Sequence, residues 1–350
     1  MTDVAAPAPV YAARSAQPAA ARETVLATWR GNLGDATRMA AKFDWFYRDC
    51  PWGEPLLQLL AHVPSGTDIG VAAAGPRRML RDGVAIEAGV LVDLAVLPEH
   101  RSLGPALMLQ QSLIDAADSR FELLYGFPNP KAAPVFKRVG YVHLADCVRH
   151  ARVVRHARYL ERRMPRAIAR IVAPFVDATV ALRDRARAWR DAPLTASWHE
   201  TAGADVDALW QRARPASGIA AVRDREFLAW RFERGPLPAV RYLMLHGRDG
   251  ALAAWFACTR EDDMLHVRDF WSTAALAGME RAGVDTLLRA ARRAGAHAVS
   301  VEIAGTPARI AGWLAAGFAE RGRRPVFGRW RGGAAADAAS LHLTSADEDE

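Results

Sequence analysis

The feature that most restricts how this chain can fold is that it is written twice. Residues 43–51 read FDWFYRDCP and residues 227–236 read FLAWRFERGP, so Trp45, Tyr47 and Pro51 recur as Trp230, Phe232 and Pro236 at equal spacings. Further along, NPKAAPVFKRVGY (129–141) and TPARIAGWLAAGF (306–318) each carry a Pro and, ten residues later, a Gly followed by an aromatic. The two matches keep their order and lie 79 and 71 residues apart, Pro to Pro. Between them run segments of period-2 alternation, EPLLQLLAHV and DIGVAAAGPRRML in the first copy, VRYLMLHG and ALAAWFACTR in the second. Gly separates the runs of each pair, which predicts hairpins. A Pro that opens and a Gly that closes the later segments are helix punctuation.

Duplicated runs of strands and helices predict an α+β fold. The first copy is expected over 23–155, a helical connector over 156–194, and the second copy over 195–331. Ala and Pro dominate residues 1–22, which are expected to form a disordered leader. Residues 332–350, ending in ADEDE, are expected to be a disordered acidic tail.

Length and composition narrow the class. The 350 residues suffice for two domains. No apolar run is long enough for a membrane span, and the N-terminus lacks the basic segment and apolar core of a secretory signal. Cys50, Cys147 and Cys258 are scattered, which suits a reducing cytoplasm better than a disulfide framework. The net charge of +7 is local: residues 149–190 hold twelve Arg against Glu161, Asp177 and Asp184. Only Lys42, Lys131 and Lys137 of the 46 basic residues are Lys. Too few aromatics interleave the Arg run for a nucleic-acid surface. Ile168, Ile171, Val172, Phe175, Val176, Thr179 and Leu182 recur at helical spacing with Arg166, Arg170, Arg183, Arg185 and Arg187 nearby. Residues 156–190 therefore read either as a linker helix packed on one domain or as an interfacial helix at the inner face of an anionic membrane.

The chemistry is written in the first copy. GVLVDLAVL (89–97) predicts a central strand ended by Pro98, and Leu107, Leu109, Leu113, Ile114 and Ala117 return at helical spacing. PEHRSLGP is then a strand-to-helix turn. There the first helical N–H groups lack partners and the helix dipole is positive, a setting for an anion. Gly104 permits close backbone approach. Pro105 removes one donor but is tolerated at the first helical position. The amides of Ser102, Leu103, Gly104 and Ala106, with Arg101, are the expected anion contacts.

With NPKAAPVFKRVGY following, this turn resembles the GCN5-related N-acetyltransferase (GNAT) superfamily. Arg101-Ser102-Leu103-Gly104-Pro105-Ala106 is similar to that family's Q/R-x-x-G-x-G/A turn, and Asn129, Ala132, Gly140 and Tyr141 to its second signature. The resemblance covers residues 25–155 and, more faintly, 195–330. It implies a mixed central sheet flanked by helices in two tandem domains, and acetyl-CoA as co-substrate, with pyrophosphate on the turn and the pantetheine arm between two splayed strands, 89–97 and 121–127. Backbone around Leu94, Ala95 and Val96 would hold the arm, and Asn129 and Phe136 would lie beside it. An amine would attack the thioester directly. Where many members carry a Tyr acid, this chain has Phe136, leaving Tyr125 and Tyr141 as the nearby phenols. Asp93 is the only carboxylate within the strand, either a base with raised pKa or a structural group, on the face opposite Leu94 by strand alternation.

The second copy has no such turn, Gly278 and Gly283 being wrongly spaced, so one CoA site is expected. Cys147, His150 and His156 match no zinc spacing, and no metal is expected. The expected function is acyl-CoA-dependent N-acylation of a primary amine on a small molecule or a cell-envelope or saccharide precursor. The alternatives are a catalytically silent acyl-CoA-binding scaffold and a peptidoglycan-type aminoacyl transferase, which shares the tandem arrangement but uses aminoacyl-tRNA.

Overall fold

A computed structural model describes residues 9–350 apart from 31, 34–35, 162, 189–193, 237, 334–340 and 349–350. In the first half the order is β1 (Tyr11–Ala16), α1 (Pro18–Trp29), α2 (Ala36–Phe43), a π-helical turn (Asp44–Arg48), β2 (Leu56–His62), β3 (Thr67–Arg81) and β4 (Val84–Val96). Then come α3 (Leu103–Ala117), β5 (Leu123–Gly126), α4 (Ala133–Arg138) and β6 (Val142–Val153). Two helices, α5 (Ala157–Glu161) and α6 (Arg166–Ala188), connect the halves. The second half runs β7 (Thr195–His199), α7 (Asp205–Arg212), β8 (Ile219–Ala221), α8 (Arg225–Leu228), another π-helical turn (Ala229–Glu233), β9 (Arg241–His246), β10 (Leu252–Glu261) and β11 (Met264–Ser272). It continues with α9 (Arg281–Arg293), β12 (Ala298–Ala304), α10 (Pro307–Ala315), β13 (Ala319–Trp330) and β14 (Leu341–Thr344).

The repeated motifs meet at the centre. Trp45 and Trp230 stack with ring centroids 4.6 Å apart. Each indole N–H donates to the other's backbone carbonyl, Trp45 Nε1 to Trp230 at 2.8 Å and Trp230 Nε1 to Trp45 at 3.4 Å. That reciprocity is a local two-fold relation between the copies. It is buried, which satisfies two indole donors that would otherwise lose their water.

The halves are joined by strand exchange. The main sheet order is β1-β2-β3-β4-β5-β13-β6-β12-β11-β10-β9-β7. β13 of the second half pairs antiparallel with β5, Phe327 opposite Gly126 and Trp330 opposite Leu123. β6 of the first half pairs antiparallel with β12, Val153 opposite Ala298 and Cys147 opposite Ala304. In the sheet, therefore, the two copies are not separate units, since each copy's last strand completes the other. One apolar core runs through both, containing Val90, Tyr125, Trp45, Trp230, Trp255 and Ala346.

Both expected disordered ends depart from expectation. In the predicted leader, Tyr11–Ala16 adds to the sheet edge opposite Leu57–His62, and α1 starts at Pro18. An edge strand gains backbone hydrogen bonds on one side and needs few apolar residues, so composition did not reveal it. In the predicted tail, β14 pairs with β12 (Thr344 opposite Ile303) and with β8 (Leu341 opposite Ile219), and β8 pairs with β3. Leu341 through Asp347 are buried. The acid that suggested solvation is neutralised: Arg223 holds Asp347 at 2.6 Å and Asp269 at 3.1 Å, all three fully buried. Residues 1–8 of the leader, and 334–340 and 349–350 of the tail, lie outside the described residues.

Candidate active site

β4 and β5 pair in parallel only over Ala88–Val90 and Leu123–Tyr125. β5 ends at Gly126 and the chain leaves as Phe127-Pro128-Asn129, so the two strands part beyond Val90. A cavity of 590 Å³ fills the split. One wall is Leu91–Leu94 of β4, Gln110 of α3, Phe127–Asn129 with Ala132, and Phe136 of α4. The other is Trp29, Asn32, Leu33, Arg38, Met39, Lys42 and Trp45, with Pro236 contributed by the second half. The expected splay is present, but its register differs. Ala95 and Val96 pair with Val71 and Gly70 of β3 and do not line the cavity; Val92, Asp93 and Leu94 do.

The reason is a bulge. Between Val71 and Ala73 the β3–β4 register slips, placing Asp93 and Leu94 opposite a single residue, and Asp93 takes φ 58°. A bulge breaks the period of two, so Asp93 and Leu94 both reach the cavity instead of facing apart. The Asp93 carboxylate is 2 % exposed and accepts from Lys42 Nζ at 2.7 Å and from the Tyr47 hydroxyl at 2.7 Å. Residues on α2 and the following turn thus fix a carboxylate at the mouth of the split. Lys42 and Tyr47 were not singled out as site residues from sequence. The signals were there: Tyr47 carries a hydroxyl where its counterpart in the repeat is Phe232, and Lys42 is one of three lysines among 46 basic residues.

At the turn, α3 begins at Leu103, so Pro105 is its third residue and not its first. Arg101 N–H donates to the Pro98 carbonyl at 3.2 Å and Ser102 N–H to that of His100 at 2.8 Å. The amides of Leu103 and Gly104 are then left without a backbone carbonyl partner among the described residues; Ala106, the fourth residue of α3, stands where the first intrahelical bond forms, to the carbonyl of the N-cap Ser102. A Cβ placed on Gly104 would meet no heavy atom within 4 Å. The Arg101 guanidinium is already engaged, by the Val96 carbonyl at 3.2 Å and by the Asn32 carboxamide oxygen. It braces the turn across the rim.

The corresponding place in the second half is closed. A Cβ on Gly278, before α9, would lie 2.3 Å from the Arg309 carbonyl oxygen, and one on Gly312 of α10 would lie 1.9 Å from that of Met279. Backbone of α10 occupies the room that the first copy leaves open.

Asn129 lines the cavity, its Oδ1 accepting from the amides of Lys131 and Ala132 at 3.0 Å each, which starts the turn into α4. Gln110 is 1 % exposed, borders the cavity, and its Oε1 has no hydrogen-bond partner among the described residues. A buried carboxamide oxygen left bare is costly, and a turn of this carboxamide toward the cavity would bring it within reach of a ligand N–H.

The two phenols lie elsewhere. Tyr125 is fully buried beneath the sheet and donates to the Asp347 carbonyl at 2.8 Å. Tyr141 packs on Phe136, centroids 5.0 Å apart, on the side away from the cavity. Burial pushes both hydroxyls up, away from proton transfer. Neither borders the cavity.

Comparison with known proteins gives structural and not sequence likeness. No protein-family model and no curated protein sequence matches the chain. Among solved structures, a conserved Enterococcus faecalis V583 protein described as a probable N-acyltransferase superposes with TM-score 0.63 at 10 % identity, over 91 % of this chain and 72 % of its own. A GCN5-related N-acetyltransferase from Anabaena variabilis gives 0.61 at 12 %, over 92 % and 73 %. Saccharomyces cerevisiae N-myristoyltransferase with bound myristoyl-CoA gives 0.53 at 12 %, over 93 % and 80 %. Two copies, exchanged terminal strands, a bulged β4 and a parted β4–β5 pair together give this chain the fold of the GCN5-related N-acetyltransferases, in tandem.

Proposed function

We propose that the protein is an acyl-CoA-dependent N-acyltransferase, most simply an acetyltransferase, acting on a primary amine of a small molecule or a cell-envelope or saccharide precursor. The observation that carries this reading is the asymmetry of the two helix starts. Open space lies over Gly104 in the first copy, and α10 backbone lies over Gly278 in the second. A pyrophosphate on the amides of Leu103 and Gly104 would receive partially charged donors that need no side chain. The pantetheine arm then enters the split, where one of its amide N–H groups meets Gln110 Oε1 and the backbone of Val92–Leu94 lies alongside.

The reacting end comes to the Asp93–Lys42 pair. The amine nitrogen attacks the thioester carbonyl carbon, forming the C–N bond as the C–S bond breaks. Asp93 takes the proton that the amine loses, and the Lys42 ammonium gives one to the departing thiolate. Because the two groups are 2.7 Å apart, the proton on Asp93 returns directly to Lys42. The pair is then restored without a separate donor, which accounts for an acyltransferase with Phe136 at the usual Tyr position. Tyr47 holds the second carboxylate oxygen and orients it.

Thiol release from acetyl-CoA over a panel of amines tests the proposal, with Asp93→Asn beside the wild type. The expected result is turnover by the wild type and a loss of about 10²–10⁴-fold in kcat for the variant, with KM for acetyl-CoA held. CoA binding without release for any amine would identify a silent acyl-CoA scaffold instead. No binding at millimolar CoA would refute both.

A further inference from the structure

We propose that α6 docks the protein on an anionic lipid surface, through a face that no other described element covers. Among the described residues eleven large hydrophobic side chains are exposed, and four of them sit on this helix: Ile168, Ile171, Phe175 and Leu182, at 51 %, 67 %, 70 % and 70 %. Their spacings of 3, 4 and 7 residues place them within about 60° of one another around a helix of 3.6 residues per turn, along roughly 21 Å of its length. The opposite face makes the contact with the body of the protein, through buried Ala169, Ala173 and Asp184.

Charge says what covers the exposed stripe. α6 has two acids, and both turn inward: Asp184 takes the Arg152 guanidinium at 2.7 Å, and Asp177 takes the His156 ring at 2.7 Å. Arg183 and Arg185 are exposed and flank the apolar stripe, about 60° beyond Ile168 on one side and about 40° beyond Ile171 on the other, so the outward face is apolar and cationic with no carboxylate of this helix. A second copy of this chain would bring Arg against Arg across a two-fold interface, which like-charge repulsion opposes. A bilayer surface bearing phosphate headgroups takes the guanidinium groups, and its acyl region takes Phe175, Leu182 and the two Ile. No described helix is long and apolar enough to cross a membrane, so the helix would lie in the surface plane. Tyr159 on α5, 40 % exposed with Arg163 stacked over its ring at 4.6 Å, extends the same kind of surface. None of these residues borders the cavity, so the inference does not depend on the catalytic reading.

The full chain is sedimented with vesicles of phosphatidylcholine alone and of phosphatidylcholine with phosphatidylglycerol, at physiological salt. Binding is expected with the anionic vesicles only. Phe175→Asp with Leu182→Asp, and separately Arg183→Glu with Arg185→Glu, are each expected to weaken it at least about tenfold, with the thermal unfolding midpoint unchanged. Failure to bind anionic vesicles overturns the proposal, as does binding that survives both double substitutions. A dimer in sedimentation velocity that Phe175→Asp dissolves, without vesicle binding, would overturn it in favour of self-association. Capture of an acidic protein without vesicle binding would overturn it in favour of a protein partner.

Discussion

Replacing Gly104 by Val separates binding from folding. The new Cβ enters a space with no heavy atom within 4 Å. It should therefore leave the fold undisturbed. Val in place of Gly within a helix even gains about 0.3 kcal/mol in propensity. The same isopropyl group would stand between a phosphate and the Leu103 and Gly104 amides. A hydrogen bond to a charged group contributes roughly 1.5–3 kcal/mol, so losing two costs about 3–6 kcal/mol. That corresponds to about 10²–10⁴-fold in Kd. Isothermal titration with CoA, beside urea unfolding of the same protein, reads both quantities. Gly278→Val is the mirror control: its Cβ would lie 2.3 Å from the Arg309 carbonyl oxygen at φ 89°, so it should destabilise the chain without reporting on CoA contacts. A Gly104→Val protein that binds CoA within about threefold of the wild type would refute the anion site.

Other expectations follow from buried polar groups. Gln110→Leu should weaken CoA binding by about 0.5–1.5 kcal/mol and leave 3′,5′-ADP, which lacks pantetheine, unaffected; titration with the two ligands separates this from failure of the whole site. Arg223→Met would leave Asp269 and Asp347 fully buried without their cation, costing about 3–5 kcal/mol. Burial already pushes Asp269 up to about 6, with Arg223 opposing the rise. In the variant the folded state should therefore bind more protons than the unfolded one, and stability against urea should rise as pH falls from 7 toward 5. His342 is fully buried with neither ring nitrogen hydrogen-bonded among the described residues, and burial with Arg223 and Arg309 nearby lowers its pKa well below the ordinary value. Its neutral form is the folded one, so its contribution is present above about pH 6.5 and lost below it, by about 1.4 kcal/mol per pH unit. His342→Phe should remove that part of the acid slope in urea midpoints measured between pH 7 and 5.

Much of the site was legible because its determinants are contiguous. The strand, the Gly-bearing turn and α3 follow one another along the chain, and helix starts are set by local punctuation. Asp93 was readable as a chemical group, but not its orientation. The bulge that turns it into the cavity depends on β3 pairing, and its partners Lys42 and Tyr47 lie 51 and 46 positions away. Tyr125 and Tyr141 were plausible by proximity in sequence. Which side of the sheet each phenol occupies was decided by packing, Tyr125 against the C-terminal segment and Tyr141 against α4.

By itself the sequence determined that the chain repeats its motifs in order, that each copy mixes strands and helices, and that only the first carries the Arg101–Ala106 turn ahead of a helix. These are properties of spacing and residue type, carried by short stretches. The tertiary structure alone decided that β6 and β13 change places and that residues 341–348 close the space between the halves. It also decided that the second helix start is filled by α10. Each of these depends on which distant strands lie side by side, where the backbone hydrogen bonds are the same for any pairing. The choice rests on how apolar faces and buried charges such as Arg223, Asp269 and Asp347 are satisfied together.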